Sequence, residues 1–292
     1  MLFRSAVSIR PGNLTRGATP SSPWAVEGVL HVGDRTNRLP GYVDVLGRST
    51  TATIAYVSGI HTDRIYAVPD AGSPLLLQKV DGGQGAALSD DGRLLFLRDN
   101  GHDSRIRVLS TEDGHLVASR LIRGFSVPLG GTDKVVYLAG GGKTLVWALG
   151  SGIAELIDAE ADLVEPGPDL FTTVTGAGTD SCTSLRLLSD PSQVLWHSCT
   201  ERIVSLAPGG GRMLTTPWRE RAGGSRLAMR TTNGDLLARY RGQQTWFDRF
   251  GWEDDATALL RASAGRRSAY VRCTGPDCEQ AGGVAVAPAI SD

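Results

Sequence analysis

The sequence predicts an all-β fold, namely a β-propeller with seven blades. Short runs of Val, Leu, Ile and Tyr end at Gly, Asp, Asn or Pro along the whole chain, which is typical of strands joined by tight turns. Helical periodicity is scarce. One kind of hairpin recurs at a nearly constant interval, which indicates a repeat architecture.

The recurring hairpins set the number of blades. Seven pairs of apolar runs flank polar turns centred near Asp34, Ala71, Gly114, Ser151, Pro191, Gly234 and Pro276. Neighbouring turns lie 37 to 43 residues apart, close to the ~40–45 residues of a four-stranded propeller blade. We therefore interpret each hairpin as the two outer strands of one blade.

A second recurring unit supplies the two inner strands of the blades. It is clearest in ALSDDGRLLFLRDN, residues 87–100, where a polar turn at residues 90–92 separates two apolar runs. Looser copies at 126–138 and 204–216 have Gly or Pro in place of the Asp pair, and another copy lies at 250–262. A turn tolerates that exchange, whereas a catalytic pair of carboxylates does not. The Asp pair is therefore interpreted as part of a turn.

The two ends of the chain bear on the domain boundaries and the blade count. Residues 1–24 are rich in Pro, Gly, Ser and Thr and lack the apolar core of a signal peptide, so we expect a flexible leader before a single β-propeller domain at 25–292. The first hairpin, residues 28–40, has no inner strands ahead of it, and the C-terminal run GGVAVAPAI forms one more strand. We expect a seam blade closed by N- and C-terminal strands. Six blades with a loose N-terminal hairpin are the alternative.

The four cysteines indicate two disulfides. Cys182 and Cys199 lie at equal distances from the turn of one hairpin, and Cys273 and Cys278 flank the turn of another. Each pair therefore faces across antiparallel strands, where opposed Cα atoms are about 4.5–5.5 Å apart. Free thiols and a four-cysteine zinc site are the alternatives, and the spacings fit Cys-x2-4-Cys pairs poorly. Paired disulfides imply an extracytoplasmic or secreted protein, although no signal peptide is visible and a cytoplasmic location stays open.

Two segments resemble a known class of propeller. The Ser-x-Asp-Gly-Arg turn at residues 89–93 and VLWHSCTERIVSLAPGGGRML at residues 194–214 are similar to WD-repeat-like and TolB-like β-propellers. They look most like extracytoplasmic propellers of actinobacteria, in which a Trp-x-x-Cys segment precedes a Ser-Pro-Asp-Gly turn. No blade ends in the Trp-Asp dipeptide of WD repeats. The resemblance covers about residues 25–292 and implies a fold rather than a function.

Composition and motifs narrow the possible functions. A formal net charge of −1 gives no basic field for nucleic acid, and no long apolar run predicts a membrane span. The segment GGGKT at 140–144 ends like a phosphate-binding loop but precedes a strand-like run, and no Gly-x-Ser-x-Gly motif occurs. The five histidines are scattered: His31, His61, His102, His115 and His197. We therefore expect no catalytic residue, no cofactor and no bound metal.

The densest group of aromatic and acidic residues is TWFDRFGWEDD at 245–255. Its members are the predicted contact surface: Trp246, Phe247, Asp248, Trp252, Asp254 and Asp255. We favour a non-catalytic binding or sensing protein that presents loop surfaces to a protein, peptide or glycan ligand. The alternative is a propeller enzyme, either a lactonase-like hydrolase or a cofactor-dependent dehydrogenase, with its site in the central channel. Three or more Asp, Glu or His side chains converging on that channel would favour the enzyme.

Overall fold

The chain forms seven β-sheets, which are the blades of a β-propeller, as the sequence predicts. The computed structural model describes residues 6–59, 62–80, 85–99, 101–176, 178–220 and 224–286. Within these ranges the only helical segment is a single 3-10 turn at Gly178–Asp180. No helix in the described part of the chain is long and apolar enough to cross a membrane.

The first strands in chain order are short. Two of them precede the blades: β1 (Val7–Ile9) and β2 (Arg16–Gly17). Blade 1 has three strands: β3 (Trp24–Val26), β4 (Val29–Val32) and β5 (Arg35–Arg38). Blade 2 has four strands: β6 (Tyr42–Arg48), β7 (Ala52–Ser58), β8 (Asp63–Pro69) and β9 (Leu75–Val80).

The remaining blades each contain four consecutive strands. Blade 3 contains β10 (Ala86–Leu88), β11 (Leu94–Asp99), β12 (Ser104–Ser110) and β13 (Leu116–Ile122). Blade 4 contains β14 (Val127–Gly131), β15 (Val135–Gly140), β16 (Lys143–Ala148) and β17 (Ile153–Ile157). Blade 5 contains β18 (Glu160–Glu165), β19 (Leu170–Thr175), β20 (Cys182–Leu187) and β21 (Val194–Ser198). Blade 6 contains β22 (Glu201–Leu206), β23 (Arg212–Pro217), β24 (Arg226–Thr231) and β25 (Leu236–Gly242). Blade 7 contains β26 (Trp246–Trp252), β27 (Thr257–Ala264), β28 (Arg267–Thr274) and β29 (Asp277–Val286).

Every predicted hairpin is the last pair of strands of its blade, and the inner units are the first pair. The segment at 140–144 is the tight turn between β15 and β16, as the interpretation as a loop between strands requires. Gly141 and Gly142 have φ angles of 64° and 77°, which suits the two-residue turns that glycine favours in hairpins. Lys143 forms an ion pair with Glu155, with Nζ and Oε2 2.7 Å apart.

The Asp pair in blade 3 stabilises the turn between β10 and β11. The Asp91 carboxylate accepts hydrogen bonds from the Ser89 hydroxyl at 2.6 Å and from the Arg93 backbone N–H at 3.0 Å. The Asp90 carboxylate accepts a hydrogen bond from the Asp91 N–H at 2.9 Å. Gly92 has φ of +69°. These contacts agree with the interpretation as a turn.

The strands are buried on both faces because each blade packs between neighbours. In β11, Leu95 and Leu97 belong to an apolar cluster with side chains of blade 2, whereas Phe96 belongs to a cluster with side chains of blade 4. Successive side chains of a strand point to opposite faces, so one run of apolar residues serves two clusters. This explains why the inner runs are continuously apolar rather than alternating.

The two ends of the chain share one blade, but not through the predicted hairpin. Strand β2 pairs in parallel with β29, with Arg16 opposite Gln280. The hairpin of β4 and β5 instead joins β3 in its own sheet, so the C-terminal run belongs to blade 7. Sequence reasoning overlooked β3 because three residues carry too little periodicity to be recognised.

Part of the expected flexible leader is ordered by backbone pairing. Strand β1 pairs in parallel with β25, and Ile9 is fully buried in the apolar cluster of blades 6 and 7. The Gly12 N–H donates to Gln280 Oε1 at 3.0 Å, although the two residues are 268 positions apart. The polar composition of residues 11–23 concealed these short strands.

The described contacts divide the chain into two compact units rather than one. The first unit contains Pro23–Pro166 and Leu170–Val174, and the second contains Met1–Ser22, Gly167–Asp169 and Thr175–Asp292. Clusters of buried apolar side chains lie between successive blades from 1 to 4 in the first unit. Another cluster lies between blades 6 and 7 in the second unit.

Candidate functional site

Exposed aromatic side chains mark one end of three blades. We call the end at which the first strand of a blade begins its upper end, and the opposite end its lower end. Tyr42 is the first residue of β6, Trp246 is the first residue of β26, and Phe125 lies two positions before β14. Their side chains are 45, 60 and 57% exposed, respectively. The three aromatics therefore occupy nearly the same position in their respective blades.

In the first unit, both aromatics are held by their surroundings. The guanidinium carbon of Arg98 lies 4.2 Å from the centroid of the Phe125 ring, and Arg98 Nε donates to Ser104 Oγ at 2.9 Å. One face of the ring is thus covered by a cation that is itself fixed. Tyr42 lines an open pocket of about 700 Å³ together with six other residues: Pro40, Gly41, Ser58, Gly59, Thr62 and Arg64.

In the second unit, Trp246 projects from a rigid base. The next residue, Phe247, is fully buried in the core of blades 6 and 7, and its backbone N–H donates to the Gly224 carbonyl at 3.0 Å. Because neighbouring side chains of a strand point to opposite faces, burial of Phe247 directs Trp246 outward. The strand backbone therefore holds the exposed indole in place.

The structure separates the six residues of the predicted contact surface. Trp246 and Asp248 lie near the upper end of β26, and Phe247 lies in the core. The Asp248 carboxylate forms two hydrogen bonds of 2.7 Å with the nearly buried guanidinium of Arg261. Of the six, only Trp246 is both large and strongly exposed.

The other three residues of that predicted surface stabilise the lower end of blade 7. The Trp252 indole N–H donates to Ser205 Oγ at 2.9 Å. Asp254 accepts the backbone N–H groups of Ala256 and Thr257, and Asp255 accepts the backbone N–H of Gly209. A strand of seven residues is about 20 Å long, so the sequence cluster combines residues from both ends of one strand.

Sequence reasoning overlooked Tyr42 and Phe125, although a signal was present. The segments YVDVLG at 42–47, FSVPLG at 125–130 and WFDRFG at 246–251 share one pattern, an aromatic residue followed four positions later by Leu or Phe and then by Gly. In blades 2 and 4 the pairing register shifts just before this glycine, which marks a β-bulge. Alignment of the blade repeats would have detected the pattern.

The inner strands of the first unit form a groove with few ionisable groups. Strands β6, β10, β14 and β18 contribute to this groove of about 340 Å³, which is lined largely by Leu, Val, Ala and Gly. Its described ionisable residues are Arg48, Asp90 and Glu165. Arg48 donates to both carboxylate oxygens of Asp70 at 2.8 Å. Burial raises the pKa of Glu165 to about 7.

The cysteines form the two predicted pairs. Cys182 is joined to Cys199, and Cys273 is joined to Cys278. The sulfurs of the first pair and a nitrogen of His197 lie within 4.8 Å of one another. Both sulfurs are consumed by the disulfide, so His197 alone could donate to a metal there.

The other histidines are apart from this cluster. His31 stacks on Trp24 with centroids 3.6 Å apart, and burial lowers the pKa of His31. His115 contacts the carboxylate of Asp113 at 2.6 Å. His102 is exposed, and His61 lies outside the described residues.

The fold resembles that of several solved β-propellers. The β-propeller domain of the Trilobed protease from Pyrococcus furiosus has a TM-score of 0.63 and 11% identity, over 87% of this chain and 86% of that one. The β-propeller domain of Cps50 (Swd1) from Myceliophteria thermophila has a TM-score of 0.55 and 9% identity, over 84% of this chain and 89% of that one. Acylaminoacyl peptidase from Pyrococcus horikoshii has a TM-score of 0.63 and 10% identity, and this chain covers 47% of its length and 87% of its own. No protein-family model and no curated protein sequence matches the chain. At such low identities the resemblance supports the fold alone.

Proposed function

We propose that this chain is a non-catalytic binding β-propeller that recognises a protein or peptide through the upper ends of its blades. One observation carries the proposal, namely the exposed aromatic at the start of the first strand in three blades: Tyr42, Phe125 and Trp246. Aromatic residues and arginine are enriched at protein interfaces and dominate binding energies there. A glycan is the other ligand class that such rings suit, because sugars also stack on aromatic faces.

The energetics favour a recognition role for these side chains. A Trp side chain buries roughly 200 Å² when it is fully covered, and each Å² of apolar area removed from water stabilises a complex by about 25 cal/mol. Covering the exposed part of Trp246 would therefore contribute about 2–3 kcal/mol before the costs of association. The rigid base under Trp246 keeps its ordering cost low, because the strand already fixes the backbone.

The inner-strand groove of the first unit supports binding over catalysis. A lactonase-like hydrolase needs several converging metal ligands. The described residues of the groove supply two carboxylates, Asp90 and Glu165, and no histidine. This falls below the three converging groups that would favour an enzyme. A dehydrogenase-type stack of tryptophans is likewise missing from the described lining residues.

We also propose that the protein works in an oxidising, extracytoplasmic compartment. Both pairs of cysteines are disulfide-bonded, and such bonds persist mainly outside the reducing cytosol. If the proposal is right, protein isolated from its host without reductant will contain no thiol that iodoacetamide can alkylate before reduction. Four alkylated cysteines in that sample would overturn it.

The binding function is tested by comparing Trp246→Ser with Leu236→Ser. Leu236 is also an exposed apolar residue, but it lies at the start of β25, at the lower end of blade 6. Tagged wild-type and variant proteins are recovered from the host under native conditions, and co-purifying proteins are quantified by mass spectrometry. We expect at least one protein whose enrichment falls about tenfold with Trp246→Ser and stays within about twofold with Leu236→Ser. Equal enrichment with both variants would contradict the proposal.

A further inference from the structure

A pocket at the upper end of blade 6 has an unusual concentration of arginine. It has a volume of about 630 Å³ and belongs wholly to the second unit. Its charged lining residues are Glu201, Glu220, Arg226, Arg239 and Arg241. These side chains lie on the face of blade 6 opposite the buried face of Leu214, Leu227 and Met229, because strand residues alternate.

The first carboxylate of the pocket is already satisfied within the protein. Glu201 accepts hydrogen bonds from Arg230 Nη2 at 2.7 Å, from Arg230 Nε at 2.9 Å and from the Thr215 hydroxyl at 2.6 Å. Burial alone would raise the pKa of Glu201, but these hydrogen bonds and the charges of Arg230 and Arg239 outweigh it and lower the pKa. Glu201 therefore stays ionised, and its charge is balanced by Arg230.

The second carboxylate of the pocket is satisfied as well. Glu220 accepts the backbone N–H of Arg226 at 2.9 Å and also pairs with its guanidinium Nε. The charges of Glu220 and Arg226 therefore balance each other. Two ion pairs thus account for both acidic residues of the pocket.

Two positive charges remain without a counter-ion. Among the described residues, neither the Arg239 nor the Arg241 guanidinium has a hydrogen-bond or ion-pair partner, and both residues are exposed. They lie two positions apart on β25, so they share one face and their Cα atoms are about 7 Å apart. Arg226 lies directly opposite Arg241 on β24. The pocket therefore presents a row of guanidinium groups along the strand.

A row of arginines spaced by two residues matches an extended acidic peptide. Side chains that share a face of an extended peptide also repeat every two residues, about 7 Å apart. Each carboxylate could accept a bidentate pair of hydrogen bonds from one guanidinium. The peptide would lie across the face of the sheet, because β1 already pairs with the outer edge of β25.

The exposed indole of Trp246 adjoins this pocket through the backbone. Ser225 lines the pocket, and the preceding residue, Gly224, accepts the N–H of Phe247. We propose that the pocket and Trp246 form one site for an extended acidic segment of a protein or peptide. This inference rests on the proposed function and deepens it by naming the chemistry of the partner.

The test uses the full chain and a fluorescein-labelled probe peptide with Glu at alternating positions and Gly between them. Binding is followed by fluorescence anisotropy at low and moderate salt. We expect the Glu peptide to bind at least about tenfold more tightly than the same peptide with Gln at those positions. The double variant Arg239→Gln/Arg241→Gln should weaken binding of the Glu peptide by about tenfold or more.

A matched control removes the same net charge elsewhere. Arg105 and Arg267 are exposed strand residues outside the pocket, and the double variant Arg105→Gln/Arg267→Gln should change the affinity by less than about twofold. A gain of binding separates recognition from a structural role. Glu220→Gln removes the charge that balances Arg226, so it should tighten binding severalfold. Unchanged circular dichroism would show that the variants fold.

The outcomes are distinct. Equal losses in the two double variants would reveal a general charge effect and overturn the site, as would failure of the wild type to prefer Glu over Gln. Displacement of the Glu peptide by inorganic phosphate at equal ionic strength, together with loss of that phosphate effect in Arg239→Gln/Arg241→Gln, would assign the pocket to a small anion and overturn the peptide proposal. If no acidic peptide binds but a partner that depends on Trp246 is recovered from the host, the binding function stands and the inferred chemistry is wrong.

Discussion

Burial determines the chemistry of individual carboxylates in this protein. Asp91 and Glu165 line neighbouring parts of the first unit, but their surroundings differ. Burial acts to raise the pKa of Asp91, but hydrogen bonds from Ser89 and from the Arg93 N–H outweigh it and lower the pKa. Burial of Glu165 has no such compensation and raises its pKa. One carboxylate stabilises a turn, whereas the other changes its charge near neutral pH.

The pKa of Glu165 predicts a specific dependence of stability on pH. Because folding raises this pKa from 4.5 to about 7, the folded state binds more protons than the unfolded state between these values. The contribution of Glu165 is therefore fully present below about pH 4.5 and is lost as the pH rises through 7. Relative to Glu165→Gln, the wild type should lose up to about 3 kcal/mol of unfolding free energy between pH 5 and pH 8.

Urea denaturation at several pH values measures this difference. Glu160→Gln is the matched control, because Glu160 lies on the same strand and is exposed. If the stability difference between wild type and Glu165→Gln were the same at pH 5 and pH 8, Glu165 would not be buried as the structure has it.

Single functional residues were the hardest features to predict from the sequence. Arg239 and Arg241 are two of 30 basic residues in the chain, and nothing in their local sequence reveals that Glu201 and Glu220 are paired elsewhere. Their importance depends on the pairing of β25 with β24. Trp246 was predicted as a contact residue, but its sequence neighbours diverge because a strand places them on two faces and at two ends.

Turns and hairpins are the elements that the sequence specifies best. Each hairpin turn combines a polar residue with glycine or proline, and these residues have local conformational preferences that tertiary contacts rarely override. Strands shorter than four residues were not predicted, because they pair through backbone groups and need no apolar pattern. This difference explains why the blades were predicted while β1, β2 and β3 were not.

Gly92 illustrates how strictly one turn position is determined. Its φ is +69°, and a Cβ atom there would overlap the Arg48 carbonyl oxygen. Gly33 has a similar φ of +56°, but a Cβ atom at that position would have no neighbour within 4 Å. Gly33→Ala should therefore cost only about 1–2 kcal/mol for its backbone conformation, whereas Gly92→Ala should cost clearly more. Thermal unfolding of the two variants tests the prediction, and equal shifts would contradict it.

The two disulfides should differ in how easily they are reduced. The Cys182–Cys199 bridge closes the longer loop, and loop-closure entropy assigns it about 3 kcal/mol against about 2 kcal/mol for Cys273–Cys278. Cys199 is exposed, whereas Cys273 is fully buried in the core of blades 6 and 7. A thiolate needs access to sulfur in order to attack it, so the first bridge should be reduced while the protein is still folded.

Graded reduction followed by alkylation and mass spectrometry measures the order. We expect Cys182 and Cys199 to be labelled at reductant concentrations that leave Cys273 and Cys278 unlabelled. A variant with Cys273→Ala and Cys278→Ala isolates the first bridge as a control. Labelling of the second pair first would show that the bridge in the core is accessible.

At the scale of the whole molecule, the repeat length determined the fold. The interval of 37 to 43 residues between hairpin turns leaves room for four strands and little else, which explains why the blade count was predictable. The division into two compact units and the roles of the two chain ends were not, because they depend on contacts between residues far apart in sequence. Such contacts leave no periodic pattern.

The N-terminal strands cover two sheet edges in the second unit. Strands β1 and β2 pair with the outermost strands of blades 6 and 7, β25 and β29. An uncovered edge presents unpaired N–H and C=O groups and invites aggregation. The covering segment is held by Ile9, whose side chain is fully buried.

We therefore expect Ile9→Ala to lower the unfolding free energy by about 2–5 kcal/mol, as is typical when a buried large aliphatic residue is truncated. Val7→Ala, in the same strand but only partly buried, should lower it less. Light scattering during mild heating should detect aggregation of Ile9→Ala before its sheets unfold. Identical behaviour of the two variants would mean that β1 does not protect β25.

The pairing between the chain ends also constrains how the protein is made. A ribosome releases residues near Gly12 long before Gln280, which lies 268 positions later, and at ~5–20 residues per second the interval is on the order of tens of seconds. The first unit has all of its strands by then and can fold during synthesis. Strands β1 and β2 must wait for partners that do not yet exist, so the second unit is completed only at the end of translation. In the living cell, the earliest part of this chain to be synthesised is therefore among the last to find its place.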